Sequence, residues 1–283
     1  MKIGDYNIHL IKTGLFRLDG GAMFGVVPKP LWSRTNPADD TNRIQMCTNS
    51  LLLDNGKKKI LIDTGMGHKM SGKLNEIYAV DFSENTLLHS LESVNIKRED
   101  ITDVILTHLH FDHTGGSTFY DEEKKLQVTF PNAMHYVQSK HLEWALNPTD
   151  RDKASFIPNN YEPLLRNKLM KTIEGEFKLD EFISTIPVNG HTRDMQMVKI
   201  SDGISTILYA ADLIPMSAHI PLPYIMGYDL FPLVTLEEKR KYLTEAAEKN
   251  WIIFFEHDPF LHSAKIGFND KGFFIKESFV IND

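Results

Sequence analysis

Thr107-His108-Leu109-His110-Phe111-Asp112-His113-Thr114-Gly115-Gly116 is the stretch that decides the fold, and it places four potential metal ligands within six residues. The apolar run before it, 104–106, is typical of the end of a buried strand. In an open α/β sheet, ligands bind in the crevice beyond the carboxyl ends of the strands. The spacing therefore predicts that the two histidines at 108 and 110 reach one metal ion, and that Asp112 and His113 reach a second ion nearby.

Three other apolar runs end in a side chain that can bind a metal. The run 183–188 leads into Asn189-Gly190-His191, the run 205–211 leads into Asp212, and the run 251–255 leads into Glu256-His257. A further run, 58–62, ends in Asp63, which we expect to orient a metal-binding histidine, because carboxylates commonly fix imidazole tautomers. The candidates therefore converge on one edge of the predicted sheets.

The candidate ligands are five histidines and two aspartates: His108, His110, Asp112, His113, His191, Asp212 and His257. Imidazoles and carboxylates without a thiolate suit Zn, Fe, Mn or Co, and Zn is the usual choice for hydrolysis. Seven ligands exceed what one tetrahedral ion takes. They suit two divalent ions, one held by His108, His110 and His191, the other by Asp112, His113 and His257, with Asp212 between them.

Such a centre points to hydrolysis at neutral pH, because a bound divalent ion lowers the pKa of water to about 7. Asp112 is the candidate catalytic residue, since it stands where it can both hold an ion and orient or receive a proton. The non-enzymatic alternative is a metal-stabilised protein that binds an acyl ligand without turning it over.

Composition narrows the class of protein. The chain has 283 residues with a hydrophobic share of 42%, enough to fill a sizeable core, and we expect one domain over residues 1–283. The net charge is −7 and the basic residues form no long runs, so we expect no nucleic-acid partner. A homodimer is compatible with the sequence.

Cysteine usage and hydropathy predict a cytoplasmic protein. The single cysteine, Cys47, excludes an intrachain disulfide and fits a reducing compartment. The first residues lack the apolar stretch of a signal peptide. The segment 213–234 is apolar in part, but its four prolines forbid a regular membrane-spanning helix, so we expect no membrane association.

Periodicity and turn signals predict the order of the elements. An opening strand at 6–12 leads into a long loop at 19–32, and a hairpin follows at 44–53 and 58–62. Thr235 and Glu238 have the spacing of a capping box at the start of a helix over 235–250. The other predicted elements are helices at 83–94 and 162–171, a strand at 251–255 and a final hairpin at 264–268 and 273–280.

The pattern H-x-H-x-D-H, followed by a Gly-His, an Asp at a strand end and a last His, resembles the metallo-β-lactamase superfamily. The resemblance covers nearly the whole chain and implies an α/β fold, the αββα sandwich, with the seven ligands carried over one for one. The stretches 19–32 and 211–229 look more narrowly like the YtnP-type quorum-quenching lactonases. This implies a small-molecule substrate, the lactone ring of N-acyl homoserine lactones. The branch is also similar to the methyl parathion hydrolases, so a phosphotriester or aryl ester remains open.

The chain departs from the family at one catalytic position. Many acyl-homoserine lactonases have a Tyr three residues after the bridging Asp, where this chain has Pro215. Tyr224, Tyr228 or His219 could replace the missing phenol. The family branch that handles oxygen or nitric oxide has Glu in the second ligand position and is disfavoured, because His110 stands there.

Two apolar loops rich in Pro and Gly are expected to form the walls of the substrate pocket. The predicted substrate contacts are Met23, Phe24, Trp32, His219, Ile225, Tyr228 and Phe231. An acyl chain is the substrate part that these side chains would hold.

Overall fold

The computed structural model describes residues 1–281. The strands are β1 (Lys2–Ile3), β2 (Tyr6–Asp19), β3 (Arg43–Asp54), β4 (Lys59–Ile62), β5 (Asp103–Ile105), β6 (Thr118–Tyr120), β7 (Leu126–Val128), β8 (Met134–Gln138), β9 (Met170–Ile173), β10 (Phe177–Lys178), β11 (Ile183–Val188), β12 (Met195–Ser201), β13 (Thr206–Tyr209), β14 (Ile252–Phe254), β15 (Ser263–Asn269) and β16 (Gly272–Ser278). The helices are α1 (Gly20–Phe24), α2 (Lys29–Trp32), α3 (Gly72–Ile77), α4 (Leu87–Ser93), α5 (Phe111–Thr114), α6 (Ser139–Leu146), α7 (Glu162–Arg166) and α8 (Pro232–Glu248).

Two seven-stranded sheets carry the fold. The first has the order β1-β2-β3-β4-β5-β8-β9, the second runs from β10 to β16 in chain order, and β6 pairs with β7 separately. Strands β4, β5, β8 and β9 are parallel neighbours, and so are β13 and β14. The carboxyl ends of these parallel strands supply the crevice that the sequence predicts.

The core lies between the sheets and under the helices. Buried side chains of the first sheet, such as Leu51 and Ile62, belong to one apolar cluster with the second sheet and with Leu243 of α8. A second cluster joins the outer side of the first sheet to Leu91 of α4 and Leu142 of α6. The order helix, sheet, sheet, helix confirms the predicted αββα sandwich. No helix within residues 1–281 combines the length and apolar composition needed to cross a bilayer.

Several element boundaries differ from the predictions. Strand β2 continues to Asp19, and the expected loop at 19–32 contains the short helices α1 and α2. The Asp19 side chain caps α1 by accepting a hydrogen bond from the Ala22 N–H at 2.8 Å. The predicted helix over 162–171 ends at Arg166, and residues Met170–Ile173 pair with β8 instead.

The predicted capping box of the long helix is wrong. Helix α8 begins at Pro232, whose missing N–H costs nothing in the first helical turn. The Thr235 hydroxyl instead donates to Asp229 Oδ2 at 2.9 Å. Glu238 accepts the backbone N–H groups of Asn189 and Gly190 at 2.8 and 3.0 Å. Both side chains therefore tie α8 to the loops around the crevice.

Candidate active site

Strand ends from both sheets deliver the seven predicted ligands to one place. His108 and His110 lie in the loop after β5, and the short helix α5 carries Asp112 and His113. The second sheet adds three side chains, each following a strand or the turn after one: His191, Asp212 and His257. All seven residues are at most 8% exposed. The site is therefore assembled only when the two sheets pack together.

We call His108, His110, His191 and Asp212 the first ligand set. Their ligand atoms lie within 4.8 Å of one another. His110 Nδ1 is 3.1 Å from His108 Nε2 and 3.2 Å from His191 Nε2. Asp212 Oδ2 is 3.0 Å from His191 Nε2.

We call Asp112, His113 and His257 the second ligand set, and their ligand atoms also lie within 4.8 Å of one another. The Nε2 atoms of His113 and His257 are 3.2 Å apart. Asp112 Oδ2 is 3.8 Å from both of these nitrogens. Asp212 Oδ1 is 3.0 Å from His257 Nε2, so the two oxygens of Asp212 face different sets. The structure therefore brings the seven side chains together in two groups with Asp212 between them, and their division between two metal ions stays a prediction.

The chemistry of the site fits divalent metal ions. Asp212 Oδ1 is buried and has no hydrogen-bond partner among the described residues. Burial and the neighbouring imidazoles lower the pKa of His108 and of His110 well below the ordinary value, which favours the neutral form that binds metals. Burial would raise the pKa of Asp212, but His191 and His257 hold it well below its usual range. A buried carboxylate between two groups of imidazole nitrogens suits two cations.

Carboxylates behind the second set orient His113. Asp63 Oδ2 is 3.1 Å from His113 Nδ1, and Glu256 Oε2 approaches the same nitrogen at 3.1 Å. Asp63 also accepts hydrogen bonds from the N–H and hydroxyl of Thr107 at 2.7 and 2.6 Å. Burial raises the pKa of Glu256 to about 8. The geometry agrees with the predicted role of Asp63, whereas Glu256 was not predicted to contact a histidine.

Asp229 orients His191, a role that was not predicted from the sequence. Asp229 Oδ1 is 2.9 Å from His191 Nδ1, and the carboxylate is 3% exposed. Its second oxygen accepts the Thr235 hydroxyl, which fixes the carboxylate against α8. No local pattern could reveal a contact between residues 38 positions apart. His257 Nδ1 is held differently, at 2.8 Å from the carbonyl oxygen of Cys47.

A cavity of about 260 Å³ opens over the two ligand sets. Five ligands form part of its lining: His110, Asp112, His191, Asp212 and His257. Its other walls are mainly apolar or aromatic and include Leu18, Met23, Met46, Tyr78, Phe111, Met226, Tyr228 and Leu230. Three polar side chains also line it: Arg151, Asp152 and Ser155. The guanidinium of Arg151 donates to the carbonyl oxygen of Gly227 at 2.5 Å and so connects two sides of the cavity.

The structure corrects most of the predicted substrate contacts. Met23 and Tyr228 line the cavity, but Phe24, Trp32 and His219 do not. Phe24 stacks on Trp32 and on His219 with ring centroids 5.4 and 4.7 Å apart, and all three are at most 1% exposed. These three side chains pack into a core behind the wall of the cavity. His219 Nε2 lies 2.9 Å from the Met23 carbonyl oxygen, which further fixes it there.

Ile225 and Phe231 are also outside the cavity lining. Phe231 immediately precedes α8 and is 43% exposed, so it faces away from the predicted acyl pocket. The neighbouring Met226 and Leu230 line the cavity in their place. In an irregular loop, sequence spacing does not determine which side chain points inward.

Tyr228 is the only one of the three predicted replacements for the missing phenol that lines the cavity. Burial raises its pKa to about 12, with further contributions from Tyr78, Asp19 and Asp112, so the phenol keeps its proton at neutral pH. Tyr78, which follows α3, was not predicted. It stacks on Phe111 with centroids 5.1 Å apart and also lines the cavity.

Known proteins resemble this chain in sequence and in fold. Residues 47–257 match the family model of the metallo-beta-lactamase superfamily. The N-acyl homoserine lactonase of Bacillus thuringiensis is 26% identical over 220 residues, which cover 73% of this chain and 79% of that protein.

Solved structures extend the likeness to almost the entire chain. One, described as a probable metal-dependent hydrolase from Staphylococcus aureus, superposes with a TM-score of 0.86 at 28% identity and covers 99% of this chain and 100% of its own. AidC, described as a dizinc quorum-quenching lactonase in complex with a product, gives a TM-score of 0.80 at 25% identity and covers 99% and 97%. The chain belongs to the metallo-beta-lactamase superfamily and is a metal-dependent hydrolase.

Proposed function

We propose that this protein opens the lactone ring of N-acyl homoserine lactones with two divalent ions, Zn being the first candidate. The observation that carries the proposal is the pair of ligand sets joined by Asp212 beneath a largely apolar cavity. Relatives named N-acyl homoserine lactonase and the dizinc lactonase AidC support the same substrate class. A small-molecule lactone with an acyl chain is the substrate that such a cavity suits.

The first ligand set would hold one ion and the second set the other, with one oxygen of Asp212 on each. When bound, such ions supply Lewis acidity and a water of lowered pKa. Asp112 lines the cavity and belongs to the second set, so its carboxylate can serve both as a ligand and as the acceptor of a proton from the attacking water. The ring of His113 is held in its orientation by Asp63 and Glu256, and the ring of His191 by Asp229.

The cavity walls position the substrate. The side chains of Met23, Met226 and Leu230 offer apolar contacts for an acyl chain, and their packing excludes water from the ester carbonyl. The Tyr228 hydroxyl is a protonated donor at the same wall, where it can stabilise charge that develops on the carbonyl oxygen. Tyr228 would thereby take the role of the Tyr that many acyl-homoserine lactonases have at the position of Pro215.

Hydrolysis of an aryl ester or phosphotriester is the second candidate. Three aromatic side chains, Tyr78, Phe111 and Tyr228, line the cavity and can stack on an aryl leaving group. The same two ligand sets would serve either reaction, so the rates on different substrates must decide between them.

A substrate panel with the metal-loaded protein tests the proposal. We expect kcat/KM to be highest for N-acyl homoserine lactones, lower for an aryl ester, and lowest for a phosphotriester. Replacing His108 with Ala should remove metal and activity together, whereas the matched change of the exposed His89 should affect neither. A phosphotriester that reacts faster than every lactone would reassign the enzyme to the second candidate, and a chelated protein with full activity would overturn both.

A further inference from the structure

A second cavity, of about 300 Å³, has in its lining Gly116, the last residue of the ligand-bearing stretch 107–116. We call it the rear cavity and define it by its lining: Thr13, Gly67, His68, Lys69, Phe82, Thr86, Leu87, Leu88, Arg98, Gly116, Thr118, Phe119, Tyr120 and Thr129. It shares no lining residue with the cavity over the two ligand sets. Its volume is at the lower end of the range for small-molecule sites, about 300 to 1,000 Å³.

The rear cavity combines apolar walls with positive charge. Phe82, Leu87 and Leu88 supply hydrocarbon surface, and the lining contains Lys69 and Arg98 but no carboxylate. The lining offers no carboxylate to a simple cation, and its apolar walls are unsuitable for a small inorganic anion. Its chemistry is complementary to a molecule that has one anionic end and one apolar end.

Both cations keep hydrogen-bonding capacity for such a ligand. Lys69 Nζ donates to the carbonyl oxygens of Gly115 and Thr118, which leaves one of its three N–H groups. Arg98 uses its Nε for Glu99 at 2.7 Å, and its terminal nitrogens have no hydrogen-bond partner among residues 1–281. The guanidinium lies 5.0 Å from the ring centroid of Phe119, which holds it beside the cavity.

A buried polar group without a partner gives a second, independent sign of a ligand. The Thr129 side chain lines the rear cavity and is 4% exposed, and its hydroxyl has no hydrogen-bond partner among the described residues. Buried hydroxyls are normally hydrogen-bonded, because leaving one unpaired costs about 1–3 kcal/mol. Because the hydroxyl oxygen has almost no exposed surface, the side chain would have to turn toward the cavity before a bound carboxylate could accept this hydrogen bond.

We propose that the rear cavity binds a small amphipathic carboxylate, with its hydrocarbon chain against Phe82, Leu87 and Leu88 and its anionic end toward Lys69 and Arg98. The Thr129 hydroxyl would donate a hydrogen bond to the same ligand. The bound anion would also strengthen the cationic form of Lys69, whose pKa burial lowers to about 7. The site is separate from the proposed hydrolysis and does not depend on it.

Calorimetric titration of the metal-loaded protein with sodium hexanoate tests the site. Acetate has the charge without the chain, and 1-hexanol has the chain without the charge, so both should bind at least tenfold more weakly than hexanoate. Arg98→Gln and Lys69→Met should each weaken this binding at least tenfold, the loss expected for one charge-assisted hydrogen bond. Arg151→Gln, which removes a cation from the other cavity, is the matched control and should leave the affinity unchanged.

The design separates the rear cavity from hexanoate that binds at the metals. Metal-bound hexanoate would be lost in His108→Ala, would compete with the substrate, and would be insensitive to Arg98→Gln. That pattern, an absence of hexanoate binding, or equal binding of 1-hexanol would overturn the proposal. If Lys69→Met does not fold, Arg98→Gln decides, because the Arg98 side chain is 36% exposed and its loss leaves no buried group unpaired.

Discussion

Replacing Asp229 with Asn should weaken metal binding at the first ligand set while the second set keeps its affinity. Asp229 touches no proposed metal position, but its Oδ1 lies 2.9 Å from His191 Nδ1. Asn has nearly the same shape and can still accept that hydrogen bond through its amide oxygen. The change therefore removes the negative charge behind the imidazole and leaves its orientation in place.

The magnitude follows from the contact that is changed. A hydrogen bond to a buried charged group contributes about 1.5–3 kcal/mol, roughly twice the value for a neutral one. Losing the charge alone should therefore cost half of this value, about 0.8–1.5 kcal/mol, which corresponds to an increase of about 4- to 13-fold in the metal Kd. Thr235 limits the loss, because its hydroxyl can turn from Asp229 toward the carbonyl oxygen of Phe231, 3.5 Å away.

Chelator competition measured by metal analysis gives the two affinities separately. We expect one ion to leave Asp229→Asn at about 4- to 13-fold lower chelator concentration than it leaves the unmodified protein. Asp103→Asn is the matched control, since Asp103 is also buried but its carboxylate contacts Tyr136 and Thr102. An Asp229→Asn protein that retains both ions with unchanged Kd values would refute the argument, and so would an equal loss in Asp103→Asn.

Three further predictions concern the wall, the core and acid stability. Tyr228→Phe should lower kcat for a lactone about 10²-fold with metal content unchanged, as expected for an oxyanion donor; a change confined to KM would contradict this role. In a series of lactones with longer acyl chains, kcat/KM should rise up to about fourfold per methylene, and Met226→Ala should flatten this slope. An unchanged slope in Met226→Ala would show that Met226 does not contact the acyl chain. Phe24→Ala should instead mainly lower the free energy of unfolding, by about 3–5 kcal/mol. Burial lowers the pKa of His135 from 6.5 to about 4, so the folded state disfavours its charged form and stability is lost as the pH falls below 6.5. Urea unfolding should show about 2 kcal/mol less acid destabilisation between pH 7 and pH 5 for His135→Asn than for the unmodified protein; equal pH dependence would contradict this.

The convergence of the seven candidate ligands could be predicted from the sequence because each follows a strand, and the end of a buried strand is a local signal. His191, Asp212 and His257 are far apart in the chain, yet the apolar run before each one indicates the sheet edge. The pairing of ligands into two sets then depends only on spacing and on metal chemistry. The αββα fold was expected from the resemblance of the H-x-H-x-D-H motif to its family, and not from the order of strands and helices.

The cavity wall could not be predicted in the same way. Phe24 and Trp32 have the apolar character of wall residues, but aromatic side chains in a loop can equally pack into a core, and here they stack on each other. Tyr78 reaches the cavity from another part of the chain, so its role depends on tertiary packing alone. The contact between Asp229 and His191 depends on the position of α8, which no local pattern determines.

The position of Asp212 between the two ligand sets has a consequence for the synthesis of the chain. The proposed first set is complete once Asp212 has been translated, whereas the second set needs His257, which follows 45 residues later. At about 5–20 residues per second, this interval lasts roughly 2 to 9 s. Both sets use side chains of the second sheet, in which β13 pairs with β14, the strand directly before His257. Because the site is assembled only when the two sheets pack together, we expect the first set to stay unassembled through this interval and both ions to bind after His257 has been translated.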